Sequence, residues 1–303
     1  MSLLENATSL QEFDLRIPSG RIHGQRTGRE GLPLVLCLPG LSANMKSFDF
    51  LMERLDGAEA QVVAVDLRGR GRSEVTPAGT YGWIHHAEDV FAIADALGAE
   101  RFSIVGHSMG GAVAMVCAEI DASRLERVVL VDICGTPDAT VLGPINAAVS
   151  RLGAVYPTPE AFIALVRQIG TVEPWSEYWE RYFRYDLHEV DGGVAPGSSL
   201  QAVMEDGAFG AGALAFGERS GIHALWPTLT MPTLLLRASR ELFPGLGHVV
   251  PEGERDRFVA DVPRAQAVDV DANHYGIITH EASAVAIGGF LGVELQARAS
   301  TAA

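Results

Sequence analysis

The sequence predicts an α/β fold: an open, mostly parallel sheet with helices on both faces and a helical cap inserted between two strands. Three observations carry this expectation. Four short runs, Leu34–Leu38, Val62–Val65, Phe102–Val105 and Val128–Val131, are apolar without alternation, as suits strands covered on both faces. Segments of helical period, Phe48–Leu55, Trp83–Leu97 and Met109–Ile120, fill the gaps between them, and strand–helix alternation of this kind builds parallel sheets. The alternation stops after Cys134 and resumes only at Thr233–Arg237.

Taken in order, residues 10–26 alternate in polarity (Phe13, Leu15, Ile17, Ile22) about the turn Pro18-Ser19-Gly20, which reads as an antiparallel hairpin ahead of the parallel strands. Residues 134–228 are read as free of sheet strands. They carry helical patterns at Ile145–Val155, Pro159–Ile169 and Pro174–Asp186, the last rich in rings: Trp175, Tyr178, Trp179, Tyr182, Phe183 and Tyr185. The glycine-rich stretches 191–197 and Gly207–Gly217 read as bends. Ala265–Val270 is the last strand and Ala282–Leu291 the last helix. The expected division is a core of residues 1–133 and 229–303 with a cap of residues 134–228.

With 303 residues, 48% hydrophobic and 20% charged, the chain has material for a large buried core, and disorder or coiled coil is excluded. Its net charge of −15 excludes nucleic acid as the expected partner, because phosphates need clustered Lys and Arg. Cys37, Cys117 and Cys134 lie singly in apolar surroundings without metal-ligand spacing, so neither a metal nor a disulfide framework is expected. The start MSLLENATSLQEFD lacks the basic and apolar stretches of a signal peptide, and no apolar run reaches the length of a membrane span. A cytoplasmic protein with a small-molecule substrate and no membrane partner is expected; a homodimer is left open.

The strongest motif is Gly106-His107-Ser108-Met109-Gly110, after an apolar strand and opening an apolar helix. In that setting a serine sits on a tight strand-to-helix turn, where glycines permit the sharp backbone and the helix N-terminus faces developing negative charge. The bland alternative, a glycine-rich turn, does not call for both the strand and the helix.

With the elbow stand Leu38-Pro39-Gly40-Leu41 after the third strand, Asp66-Leu67-Arg68-Gly69-Arg70-Gly71-Arg72-Ser73 after the fourth, and Asp271-Ala272-Asn273-His274-Tyr275 after the last. Together these make the chain, from about residue 12 to 293, resemble the α/β-hydrolase fold superfamily. The resemblance implies an eight-stranded sheet and a serine-nucleophile member with a cap. It departs from the family pattern at Pro39, where histidine is usual. The Arg68–Ser73 run lacks the nucleotide-binding glycine and lysine patterns and reads as a structural turn.

A serine hydroxyl needs a base within hydrogen-bond reach. His107 lies inside the elbow and should point away from the serine, His85 and His86 start a helix, and His188, His223 and His248 fall in cap or loop. His274 follows the last strand, at the sheet edge where the elbow emerges, and the resemblance places the base there too. The oxyanion donors, by position, are the backbones of Leu41 and Met109. Two residues compete as the acid that orients His274. Glu241 holds the usual family place after strand seven, in a segment Arg237-Ala238-Ser239-Arg240-Glu241 followed by a long glycine-rich loop. Asp132 ends strand six, and a short carboxylate on a strand end is the more rigid choice. Substrate contacts are expected from the cap, with Trp179 and Arg184 as candidates beside Arg151, Arg167 and Arg181, since guanidinium suits carboxylates.

These residues point to a serine hydrolase without a cofactor, acting on an ester, lactone or amide of a small to medium substrate. The alternatives are a non-catalytic small-molecule binder of the same fold, which need keep neither Ser108 nor His274, and a carbon–carbon bond hydrolase or lyase.

Overall fold

The computed structural model describes residues 10–149, 151–170, 172–210 and 221–296. Eight strands form one sheet, with an antiparallel hairpin at one edge. The hairpin β1 (Gln11–Ile17) and β2 (Gly20–Thr27) lies antiparallel at one edge, and β2 meets β4 (Gln61–Val65) antiparallel. From β4 onward every pairing is parallel, through β3 (Leu34–Leu38), β5 (Phe102–His107), β6 (Leu125–Val131), β9 (Thr233–Ala238) and β10 (Ala265–Val270). The unalternating strands β3, β4, β5 and β9 are buried at every position, which is why their sequences show no polar face.

Two apolar layers cover the sheet. One is packed by α2 (Trp83–Ala96) and α3 (Met109–Asp121), together with Phe258 of α8 (Glu252–Asp261). The other is packed by α1 (Asp49–Leu55) and α9 (Glu281–Leu291). Helix α8 is absent from the sequence reading because its sequence EGERDRFVAD is mostly charged and buries Phe258 alone.

Between β6 and β9 the chain forms α4 (Leu142–Val149), α5 (Pro159–Ile169), α6 (Glu177–Tyr185) and α7 (Leu200–Gly210), with a short hairpin of β7 (Leu187–Val190) and β8 (Gly193–Pro196). This corrects the expectation that no strand lies in 134–228. Asp191 and Gly192 make the hairpin turn, with Gly192 at φ 89°, and β8 runs so close to Tyr156 that a Cβ on Gly193 (φ 147°) would meet its carbonyl oxygen at 2.0 Å. Two further boundaries differ. The helix read at Ile145–Val155 starts earlier, at Leu142, and residues 151–153 already form a turn, with Gly153 at φ 83°. The bend read at Gly207–Gly217 is helical as far as Gly210, and residues 211–220 lie outside the described residues.

The insertion is tied to the core by polar groups as well as rings. Tyr185 donates to Asp66 (2.6 Å), Tyr178 donates to the Lys46 carbonyl (2.6 Å), and Ser199 N–H donates to the Gly69 carbonyl (2.8 Å). At the end of α6, burial pushes the Asp186 carboxyl up to about 8, against the opposing effect of Asn44. Its folded-state value stands above the unfolded one of about 4, so the folded protein keeps a proton that the unfolded chain loses. Stability is therefore expected to fall as pH rises from about 4 through 8. Urea midpoints between pH 5 and 8 should show this decline in the wild type and a flatter line in Asp186→Asn; parallel lines would place the titration elsewhere.

Candidate active site

Strand β5 runs directly into the elbow. Ser108 has φ 52° and ψ −122° and forms the N-cap of α3, and its N–H continues the ladder to the Val131 carbonyl (3.0 Å). Positive φ in a non-glycine residue is strained, and the neighbours show what holds it. A Cβ on Gly110 would lie 2.0 Å from the Leu38 carbonyl oxygen, and one on Gly106 would lie 2.4 Å from the Gly110 carbonyl carbon. Strand β3, the elbow and the start of α3 thus meet at a distance that only hydrogen side chains allow.

His107, within the elbow, packs against His274. Its Nε2–H donates to the His274 carbonyl (2.9 Å), and the two rings lie 4.6 Å apart. Burial pushes its pKa down to about 3, so it is a neutral prop for the His274 backbone and no base at neutral pH.

His274 sits beyond β10 in a turn that Asn273 closes by accepting from Gly276 N–H (2.8 Å). His274 is 8% exposed, and its Nδ1 lies 2.8 Å from Oδ2 of Asp132. Asp132 directly follows β6 with φ 53° and is 1% exposed. Its N–H donates to the Leu236 carbonyl (2.7 Å) and its Oδ1 accepts from Ala238 N–H (2.9 Å), so both contacts with β9 fix the carboxylate. In the neutral tautomer that donates Nδ1–H to Asp132, Nε2 carries the lone pair.

Glu241 is turned elsewhere. Its carboxylate accepts from Gly245 N–H (2.6 Å) and closes its own exposed loop. Other histidines are engaged with carboxylates: His85 with Glu88, His86 with Asp206 and His223 with Glu254.

The loop after β3 comes up beside Ser108. A Cβ on Gly40 would lie 3.4 Å from Cβ of Ser108, which sets Leu41 next to the serine. Met109 opens α3, and the first N–H groups of a helix have no partner within it. Of the cap candidates, Arg184 pairs with Glu160 and Glu180 (both 3.0 Å) on the surface, Arg167 with Glu180 and Arg181 with Glu53. Trp179 is 3% exposed and packs among Tyr178, Tyr182 and Phe183. Sequence reasoning did not find the buried Arg70, Asp206 and His86 that stand behind the Leu41 loop. Among the described residues no group of three or more His, Cys, Asp or Glu could hold a metal ion, and no helix is long and apolar enough to cross a membrane.

A serine on a strained strand-to-helix turn, a histidine past the last strand and a doubly wound sheet beneath them define an α/β protein of the nucleophile-elbow class. Residues 33–281 match the model of the alpha/beta hydrolase fold, and the chain belongs to that family. It is similar to a serine hydrolase-like protein of Danio rerio, 38% identical over 125 residues, which are 41% of this chain and 38% of the relative. It is also similar to N-formylmaleamate deformylase of Pseudomonas putida, 39% identical over 112 residues, 37% of this chain and 41% of the relative. The match thus spans less than two thirds of either relative. Among solved structures, E-2-(acetamidomethylene)succinate hydrolase is similar with a TM-score of 0.80 over 93% of this chain and 99% of that one, at 22% identity. At that identity the likeness is one of fold.

Proposed function

We propose that the protein is a cofactor-free serine hydrolase with Ser108 as nucleophile, His274 as general base and acid, and Asp132 as the orienting carboxylate. The observation that carries this reading is the 2.8 Å contact between His274 Nδ1 and Asp132, in a chain that also holds a serine on a strand-to-helix elbow. Ser108 Oγ attacks a carbonyl carbon as His274 Nε2 takes its proton. The tetrahedral oxyanion is received by the N–H groups of Leu41 and Met109, and the imidazolium returns the proton to the leaving group. Water, activated by the same histidine, then releases the acid. Asp132 steadies the imidazolium and keeps its tautomer.

The insertion, residues 134–228, acts as a cap that shapes the substrate pocket, since open α/β folds bind ligands beyond the C-terminal strand ends. The substrate is a small to medium ester, lactone or amide. An amide is favoured by the likeness to a deformylase named for an N-formyl group. The test is a screen of short esters, lactones and N-acyl amides of small acids with products identified, alongside a fluorophosphonate probe. Labelling at Ser108 and turnover of at least one class are expected. Folded protein that takes no label and turns over nothing would make it a binding protein of the same fold.

A further inference from the structure

Arg70 stands in the turn after β4, and its side chain has no exposure to solvent. Burial works against its charge, and Asp206 on α7 of the insertion offsets this with an ion pair at 2.6 Å. Asp206 is itself fully enclosed and takes two further donors: Gly82 N–H on Oδ1 (2.6 Å) and His86 Nε2 on Oδ2 (2.9 Å). An ion pair taken out of water needs its remaining donors satisfied, and where Arg70 sends them is informative. Nε and Nη2 both donate to the Leu41 carbonyl, at 3.0 and 2.9 Å, and Nη1 donates to the Arg68 carbonyl at 3.1 Å. A guanidinium is a rigid planar fork, so two of its arms fix the direction of that carbonyl.

The neighbouring carbonyls of the same loop are held as well. Gly40 O accepts from Ala43 N–H (3.2 Å) and Ser42 O from Ser198 Oγ (3.2 Å). Ser198 and Asp206 both belong to the insertion. Helix α7 also rests on the loop directly, since a Cβ on Gly207 would lie 3.9 Å from Cδ2 of Leu41. An ion pair serving only to join insertion and core would not require a forked contact on the residue beside the nucleophile.

We propose that Arg70 is a positioning residue: anchored by Asp206 of the insertion, it locks the Leu41 segment so that the Leu41 N–H is aimed at the oxyanion before substrate arrives. This rests on the reading of Leu41 as an oxyanion donor. It makes the docked insertion part of the catalytic apparatus as well as of the pocket, because preorganised donors act mainly on the transition state.

The test uses p-nitrophenyl acetate as substrate and phenylboronic acid as a tetrahedral-state mimic. Arg70→Met is combined with Asp206→Leu so that no lone charge is left buried, and Asp206→Asn is made separately. In the folded double variant kcat is expected to fall about tenfold to a hundredfold, with KM within about twofold and the boronate inhibition constant raised by the same factor as kcat falls. Asp206→Asn should move the same two quantities together by about three- to tenfold. A folded variant with kcat and boronate affinity within about twofold of wild type overturns the proposal, as does a rise in KM with kcat unchanged. Should the double variant not fold, Asp206→Asn decides on the same criteria. Failure of the wild type to take a fluorophosphonate label at Ser108 would strike the hydrolase reading itself, and is distinguished by being seen before any variant is made.

Discussion

Ser108→Ala is expected to lower kcat by about 10⁴–10⁶ on any substrate the wild type turns over, because the members of a triad act as a unit and the nucleophile is its centre. The loss should fall on kcat with little change in KM, since the hydroxyl contributes to the bond being formed and hardly to holding the ground state. Fluorophosphonate labelling should vanish with it. The fold should survive. Alanine meets the same backbone strain at φ 52° that serine already bears, and the contacts that hold the elbow are main-chain ones, from Ser108 N–H to Val131 and from Gly111 N–H to the Ser108 carbonyl. Circular dichroism and a melting midpoint close to wild type are the controls. A folded variant keeping more than about a tenth of the activity would move the nucleophile elsewhere.

Much of this architecture was legible in the residues, and the unread parts have physical reasons. Strands β3, β5 and β9 announce themselves because both of their faces are buried, leaving no polar position to blur the run. The elbow is equally plain, since Gly106 and Gly110 are dictated by contacts with chain close at hand or one strand away. Helix α8 is silent because a helix that buries little besides Phe258 needs no apolar stripe. The hairpin β7–β8 is hidden by its length: four residues a side leave too little alternation to outweigh the glycines at its turn. The Arg70–Asp206–His86 cluster could not be read at all. His86 and Asp206 are 120 residues apart in sequence, and a buried charge looks the same as a solvated one until its partner is placed beside it. The same limit left Glu241 and Asp132 in competition, because residue type admits both and only distance separates them.

That distance carries the second large expectation. Asp132→Asn should lower kcat by about 10³–10⁴ near pH 7, while Glu241→Gln should cost less than about tenfold. In the structure one carboxylate oxygen of Asp132 is committed to Ala238 N–H at 2.9 Å and the other to His274 Nδ1 at 2.8 Å. An asparagine that keeps its carbonyl on Ala238 turns its amide toward His274. Two N–H groups would then face each other unless the imidazole moves its proton to Nε2, and in that tautomer it can no longer accept from Ser108. The geometry survives and the chemistry does not, so KM and stability should change far less than kcat. Glu241 offers the opposite case: its oxygen accepts from Gly245 N–H at 2.6 Å within an exposed loop, and a glutamine carbonyl can take that bond over. Measured side by side on one substrate, a large loss in Glu241→Gln with a small one in Asp132→Asn would return the acid to the loop after β9 and require the loop at 242–247 to rearrange before catalysis.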